Sequence, residues 1–105
     1  MYKQLATKVG ISSGGSVVSD PVPMKGFNTV QVDLVVFSGE VRVYIQQSDD
    51  LQDWSLKDTY AAVIGPSHKM FSSTETCCAY VRVKWEEATG SGNAIVASGI
   101  NQSVQ

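Results

Sequence analysis

Between Phe27 and Gln47 the chain changes character at almost every residue. Val30, Val32, Leu34 and Val36 share one parity, and Gln31, Asp33 and Val35 share the other. After the turn Ser38-Gly39-Glu40, the residues Val41, Val43 and Ile45 alternate with Arg42, Tyr44 and Gln46. In an extended strand successive side chains point to opposite faces, so each run reads as a strand with one buried and one wetter face. Two such runs joined by a tight turn, Phe27–Phe37 and Glu40–Gln47, predict a hairpin. A third run, Cys78–Glu86, sets Ala79, Val81, Val83 and Trp85 on one face and Tyr80, Arg82, Lys84 and Glu86 on the other. A slip of one residue would turn every core side chain into solvent, so these runs constrain the fold strongly.

The remaining chain is read around them. Gln4–Ile11 is a strand closed by Ser12-Ser13-Gly14-Gly15. Ser16–Val22 is an edge segment, because Pro21 and Pro23 have no N–H to give a ladder. Leu56–Val63 is a mixed strand with a bulge, Gly65-Pro66 a turn, and His68–Ser72 a short strand. Ala88–Gly92 is a hairpin loop leading into the last strand, Asn93–Asn101. No window holds an apolar stripe at helical spacing, and the weak helical candidate is Asp50–Ala61. Val and Ile together number 20 against 4 Leu, which favours strands over helices. The fold expected is all-β: an antiparallel, jelly-roll-like β-sandwich of seven to eight short strands. It forms one domain over residues 1–105, with an extended N-terminal arm over residues 1–25. The core expected comprises Val30, Val32, Leu34, Val36, Val41, Val43, Ile45, Trp54, Val81, Val83, Trp85, Val96 and Ile100.

Several function classes lose their footing on composition. A formal net charge of −2 gives no general attraction to nucleic acid or anionic lipid. No apolar run approaches the length of a membrane-spanning helix. Met1-Tyr2-Lys3-Gln4-Leu5-Ala6-Thr7 lacks the basic start and apolar stretch of a secretory signal, so synthesis in the cytosol is expected. Cys77 and Cys78 are adjacent; strand neighbours diverge, so an ordinary disulfide is poorly set up. They read as two reduced thiols, one buried and one nearer the surface.

Chemistry-bearing residues are sparse. The single histidine, His68, stands beside Lys69 and reads as a solvated surface group. No serine sits in a nucleophile elbow, and the chain is expected not to be an enzyme. Asp49, Asp50 and Asp53 share one loop but lack the glycine and distant bidentate Glu of a calcium loop. They read as a turn capping Trp54. The phosphate-cradling pattern is missing at Gly10, Gly14 and Gly15. No catalytic, cofactor or metal residue is therefore assigned. What remains is the outward parity of two strands: Arg42, Tyr44 and Gln46 with Tyr80, Arg82 and Lys84. Tyr and Arg are enriched where surfaces bind. These six, with Val17 and Val18 as an apolar addition, are the candidate interaction residues. Eight Lys and Arg against ten acids is a thin basis for nucleic-acid binding.

One segment carries a resemblance. Val43–Gln47 followed by Ser48-Asp49-Asp50-Leu51-Gln52-Asp53-Trp54 is similar to the strand and Ser-Asn-Asp-x-x-x-Trp turn of galactose-binding-like and discoidin-like β-sandwiches. Such modules serve as sugar-binding domains and, as small stand-alone chains, as virion proteins of tailed bacteriophages, including capsid decoration (cement) proteins. The resemblance implies a virion structural protein, foremost a decoration protein on an assembled shell, with a tail or fibre component as an alternative. Its partner would be the major capsid protein or another virion protein, and its location the virion. A homo-oligomer is expected, a trimer being one arrangement. A carbohydrate-binding module is the competing reading; it needs an exposed aromatic platform, for which Tyr44 and Tyr80 are the outward candidates.

Overall fold

A computed structural model describes residues 1–104. Eleven strands occur among them: β1 (Tyr2–Ile11), β2 (Ser16–Val18), β3 (Val22–Pro23), β4 (Thr29–Ser38), β5 (Glu40–Ser48), β6 (Ser55–Thr59), β7 (Val63–Ile64), β8 (Ser67–Met70), β9 (Thr74–Glu75), β10 (Tyr80–Glu87) and β11 (Ala94–Ser103). All pairings are antiparallel. One sheet has the order β1-β11-β4-β8, with β9 also on β4. The other has β2-β10-β5-β6, with β3 on β10 and β7 on β5. The two sheets close on one core, giving the jelly-roll-like β-sandwich that the alternation predicts. The strand count exceeds expectation because edge segments of two to five residues, such as β3, β7 and β9, have no alternation of their own to reveal them.

The core is built from the inward parity of four strands. Val30, Val32, Leu34 and Val36 of β4 face Val41, Val43 and Ile45 of β5 and Val81, Val83 and Trp85 of β10. Ala94, Val96 and Ile100 of β11 complete the layer, and all of these side chains are buried. Each fully buried Val or Ile withdraws enough apolar surface to favour folding by roughly 1.5–3 kcal/mol. Trp54, expected in this core, lies outside it and is half-buried.

Two connections differ from the hairpins expected. β4 and β5 belong to opposite sheets, and so do β10 and β11. The short turns after Phe37 and after Glu87 are therefore arches that carry the chain across the sandwich. Alternation alone cannot distinguish a hairpin from an arch, because both bury one parity. The arch at Gly39 depends on glycine: its φ is 88°, and a Cβ there would meet the Ala94 side chain and the Asn93 carbonyl at 2.8 Å. The stretch Asp50–Ala61, weighed as a helix, forms a loop and β6. Cys77 is exposed and Cys78 half-buried, so neither is the buried thiol expected; both are free.

Candidate docking face

The register of β5 and β10 decides what stands on the outer face of the second sheet. Arg82 pairs with Gln46, Lys84 with Tyr44 and Glu86 with Arg42. Paired residues in an antiparallel ladder point the same way. All six candidate residues, Arg42, Tyr44, Gln46, Tyr80, Arg82 and Lys84, therefore share one face, each half-buried. Val18, opposite Lys84, joins them and is 45% exposed. Val17 has the opposite parity and packs against the core, so it contributes no outward group.

The side chains are cross-linked. Arg82 Nε donates to Gln46 Oε1 at 2.6 Å, and Tyr44 OH donates to Glu86 Oε1 at 2.8 Å. Arg42 lies 3.8 Å from the same carboxylate oxygen, and the Lys84 ammonium stands 5.2 Å from the centre of the Tyr44 ring. These contacts hold the side chains to one another across the ladder.

Trp54, which the alternation places in the core, stands elsewhere. The Arg82 guanidinium stacks over its ring at 4.3 Å, which brings the indole to this same face. The preceding loop sets that position. Ser48 Oγ accepts from the amides of Asp50 and Leu51 at 3.2 and 3.0 Å and donates to Asp50 Oδ1 at 3.0 Å. Asp50 Oδ1 in turn accepts from the Gln52 and Asp53 amides, both at 2.9 Å. Asp49 Oδ1 accepts from the Ala79 amide at 2.9 Å, tying the loop to the approach of β10. Bonds from the Asp53 and Gln52 amides, then from Ser48, hold the Asp50 carboxyl at a pKa of about 2. One oxygen of Asp49 and one of Asp50 are thus spent on backbone donors. Burial, followed by the Asp49 carboxylate and Cys77, pushes the neighbouring Cys78 thiol up, so it stays protonated.

Elsewhere, a cleft of about 770 Å³ opens at the sandwich edge, lined by Tyr60, Met70 and Phe71 among others, with Tyr60 and Phe71 stacked at 4.5 Å. None of the candidate residues lines it. His68 is exposed on β8, away from the aromatic face.

The fold is that of a β-sandwich module. No protein-family model and no curated protein sequence matches the chain. Solved structures do. PBSX exported protein XepA, a phage-related protein, matches with a TM-score of 0.76 and 13% identity, over 100% of this chain and 37% of its own. This chain therefore spans little more than a third of that protein. A CBM4 carbohydrate-binding module matches with a TM-score of 0.60 and 14% identity, over 93% of this chain and 71% of the module. A subunit of the disulfide-linked pili of Bacillus endospore appendages matches with a TM-score of 0.57 and 10% identity, over 100% of this chain and 88% of its own. At these identities the likeness is one of fold.

Proposed function

We propose that the chain is a non-catalytic virion structural protein, foremost a capsid decoration protein, that docks on the major capsid protein or another virion protein through the outer face of the second sheet. The observation that carries the reading is the gathering of Trp54, Tyr44, Tyr80 and Arg82 on one preorganised, cross-bonded sheet face. Trp, Tyr and Arg dominate the binding energy of protein interfaces. The fold likeness to a phage-related exported protein supports the setting. Mechanistically, a protein that binds only the assembled shell adds its binding free energy to that shell's stability. Many copies on a lattice of equivalent sites hold without any one contact being tight.

Co-sedimentation with purified capsids of the phage that encodes the chain tests this. Wild-type protein pellets with shells, and Arg82→Ala and Tyr44→Ala reduce the bound fraction at least tenfold, the loss of about 1.4 kcal/mol at a hot spot. Absence of binding to shells and to other virion parts refutes it.

A carbohydrate-binding module is the second reading. Trp54 favours it, since an indole on the outer face supplies the aromatic platform that parity had placed inside. The fold likeness to CBM4 agrees. Glycan-array binding that vanishes in Trp54→Ala and Tyr44→Ala, without capsid binding, would establish it instead.

A further inference from the structure

Strand alternation would send the side chains of Cys77 and Cys78 to opposite faces. The two residues lie instead in the connection between β9 and β10, where the chain bends at Cys78 and Ala79. Both ends of this short piece are pinned. The Thr76 amide donates to the Asn28 carbonyl at 2.8 Å. The Ala79 amide donates to Asp49 Oδ1 at 2.9 Å, and the Ala79 carbonyl accepts from the Met24 amide at 2.8 Å. Both thiols are free, Cys77 exposed and Cys78 half-buried. Cys78 borders a hollow of about 230 Å³ that it shares with Ser48, Asp49, Asp50 and Asp53. Burial, the Asp49 carboxylate and the Cys77 thiol all act to keep the Cys78 proton in place.

Geometry narrows what such a pair can hold. A direct disulfide is strained, because Cα atoms across one peptide bond stand about 3.8 Å apart, below the roughly 4.4 Å at which ordinary bridges begin. A structural zinc ion needs four protein ligands. Among the described residues no group of three or more His, Cys, Asp or Glu is placed to hold a metal ion. A linear two-coordinate ion would draw the sulfurs to opposite sides of itself, which the pinned ends of the segment oppose. Metal ions of any kind also take thiolates, and the surroundings of Cys78 favour the thiol.

We propose that Cys77 and Cys78 together form a binding site for trivalent arsenicals, with both sulfurs on one arsenic. A pyramidal arsenic carries its ligands on one side, so it bridges neighbouring sulfurs, and the added atom between them relieves the strain of a direct bridge. The reagent is an organic arsenous acid, with two hydroxyls on arsenic. Two As–S bonds form and two As–O bonds break, and each hydroxyl leaves as water with one thiol proton. Arsenic stays trivalent and no sulfur is oxidised. Because the reagent is neutral, the carboxylates of the hollow do not repel it. Exposed Cys77 makes the first bond, and the second is then intramolecular, which is the source of the gain over a lone thiol. The site borders the loop that carries Trp54 but uses no residue of the docking face, so the inference is independent of what that face binds.

Phenylarsine oxide, which hydrates to such an acid in water, is the probe. Intact-mass spectrometry of the reduced full chain shows one arsenical per chain, and both thiols become unreactive toward a chromogenic disulfide together. The wild type binds at least about tenfold more tightly than Cys77→Ser or Cys78→Ser, as expected when a second attachment is intramolecular. Ethanedithiol removes the arsenical, and an equal concentration of thiol groups from a monothiol does not. Serine replaces one sulfur by one oxygen at exposed or half-buried positions, and the thermal midpoints verify that both variants are folded. Three results overturn the proposal: two arsenicals per chain, each thiol acting alone; a folded single-serine variant that binds as tightly as the wild type; or a reduced wild type that takes up none.

Discussion

The Arg82 guanidinium covers the Trp54 ring at 4.3 Å while its Nε is held by Gln46. One side chain thus joins the loop after β5 to the centre of β10. A cation over an aromatic ring at a half-exposed site contributes about 0.5–1 kcal/mol. Arg82→Ala is expected to lower stability by no more than about 1.5 kcal/mol, the ring contact and one neutral acceptor together. Its effect on docking is larger, because the indole loses its fixed orientation. Arg82→Lys does not rescue docking, since an ammonium has neither the flat stacking surface nor the fork that reaches Gln46. Denaturant titration and capsid pelleting on the same variants separate the two effects. Equal losses in both would show that Arg82 acts through stability alone.

Glu87 predicts an acid-sensitive term. It ends β10 on the inward parity and is 3% exposed. Its carboxylate accepts from Thr89 Oγ1 at 2.7 Å and from the amides of Gly90, Gly14 and Thr89 at 2.6, 3.1 and 3.1 Å. The Thr89 hydroxyl first, and then the backbone donors, hold its pKa at about 2 against an ordinary 4.5. A carboxyl with a depressed folded pKa contributes stability that is full above its unfolded value and lost as pH falls toward the folded one. The window runs from about pH 4.5 down to about pH 2. Asp50 titrates in the same direction and adds to it. In Glu87→Gln the chain is less stable at pH 7, and its denaturation midpoint falls less steeply between pH 5 and 2 than the wild type's. An unchanged acid slope would mean that Glu87 is not the group responsible.

The parts of this fold legible in sequence are those where one parity is buried and the other is wet. β10 obeys that rule over its whole length, β4 over residues 30–37 and β5 over residues 40–46, so their core side chains and the six outward residues could be read without coordinates. Glu87 carried the same signal: it continues the series Val81, Val83, Trp85. A carboxylate is ordinarily placed in water, and only the amides of two turns, distant in sequence, reverse that. Trp54 was misplaced because parity does not survive the intervening loop, where Leu51 has a φ of 66° and Lys57 adds a bulge beyond. Cys77 and Cys78 precede the first residue of β10, so strand alternation never applied to them. β8 has all four side chains exposed, and its place is set by pairing with β4 and by no pattern within it.

Gly99 and Tyr2 make a prediction for the first strand. A Cβ at Gly99 would occupy the space of the Tyr2 phenol, whose hydroxyl reaches Asp33. Burial and the Asp33 charge push the Tyr2 pKa up, so the donor proton is retained. In Gly99→Ala the ring swings out, because its far end is free to move. The loss is about 1 kcal/mol, one hydrogen bond's net worth. Hydrogen exchange quickens at the N-terminal end of β1, while amides in β4 and β10 keep their protection. Uniform loss of protection across both sheets would show instead that Gly99 is needed for the β11 backbone itself.

Ser48→Ala tests how the loop positions Trp54. Ser48 is 2% exposed, and its hydroxyl serves two amides and one carboxylate. Removing it takes the acceptor from two part-buried amides, at roughly 1 kcal/mol. It also frees Asp50, whose remaining contacts to Gln52 and Asp53 are exposed. Leu51 then relaxes from its left-handed conformation, which costs an L-residue about 1–2 kcal/mol and persists only while its neighbours impose it. Trp54 therefore leaves Arg82, and its fluorescence shifts toward that of a solvated indole while buried Trp85 continues to emit as before. Leu51→Gly works in the opposite direction: glycine accepts the positive φ, and the gain is set against the greater freedom of the unfolded chain, leaving stability within about 1 kcal/mol of wild type. A Ser48→Ala protein with unshifted fluorescence and wild-type docking would show that β6, and not the capped turn, holds Trp54 on the face.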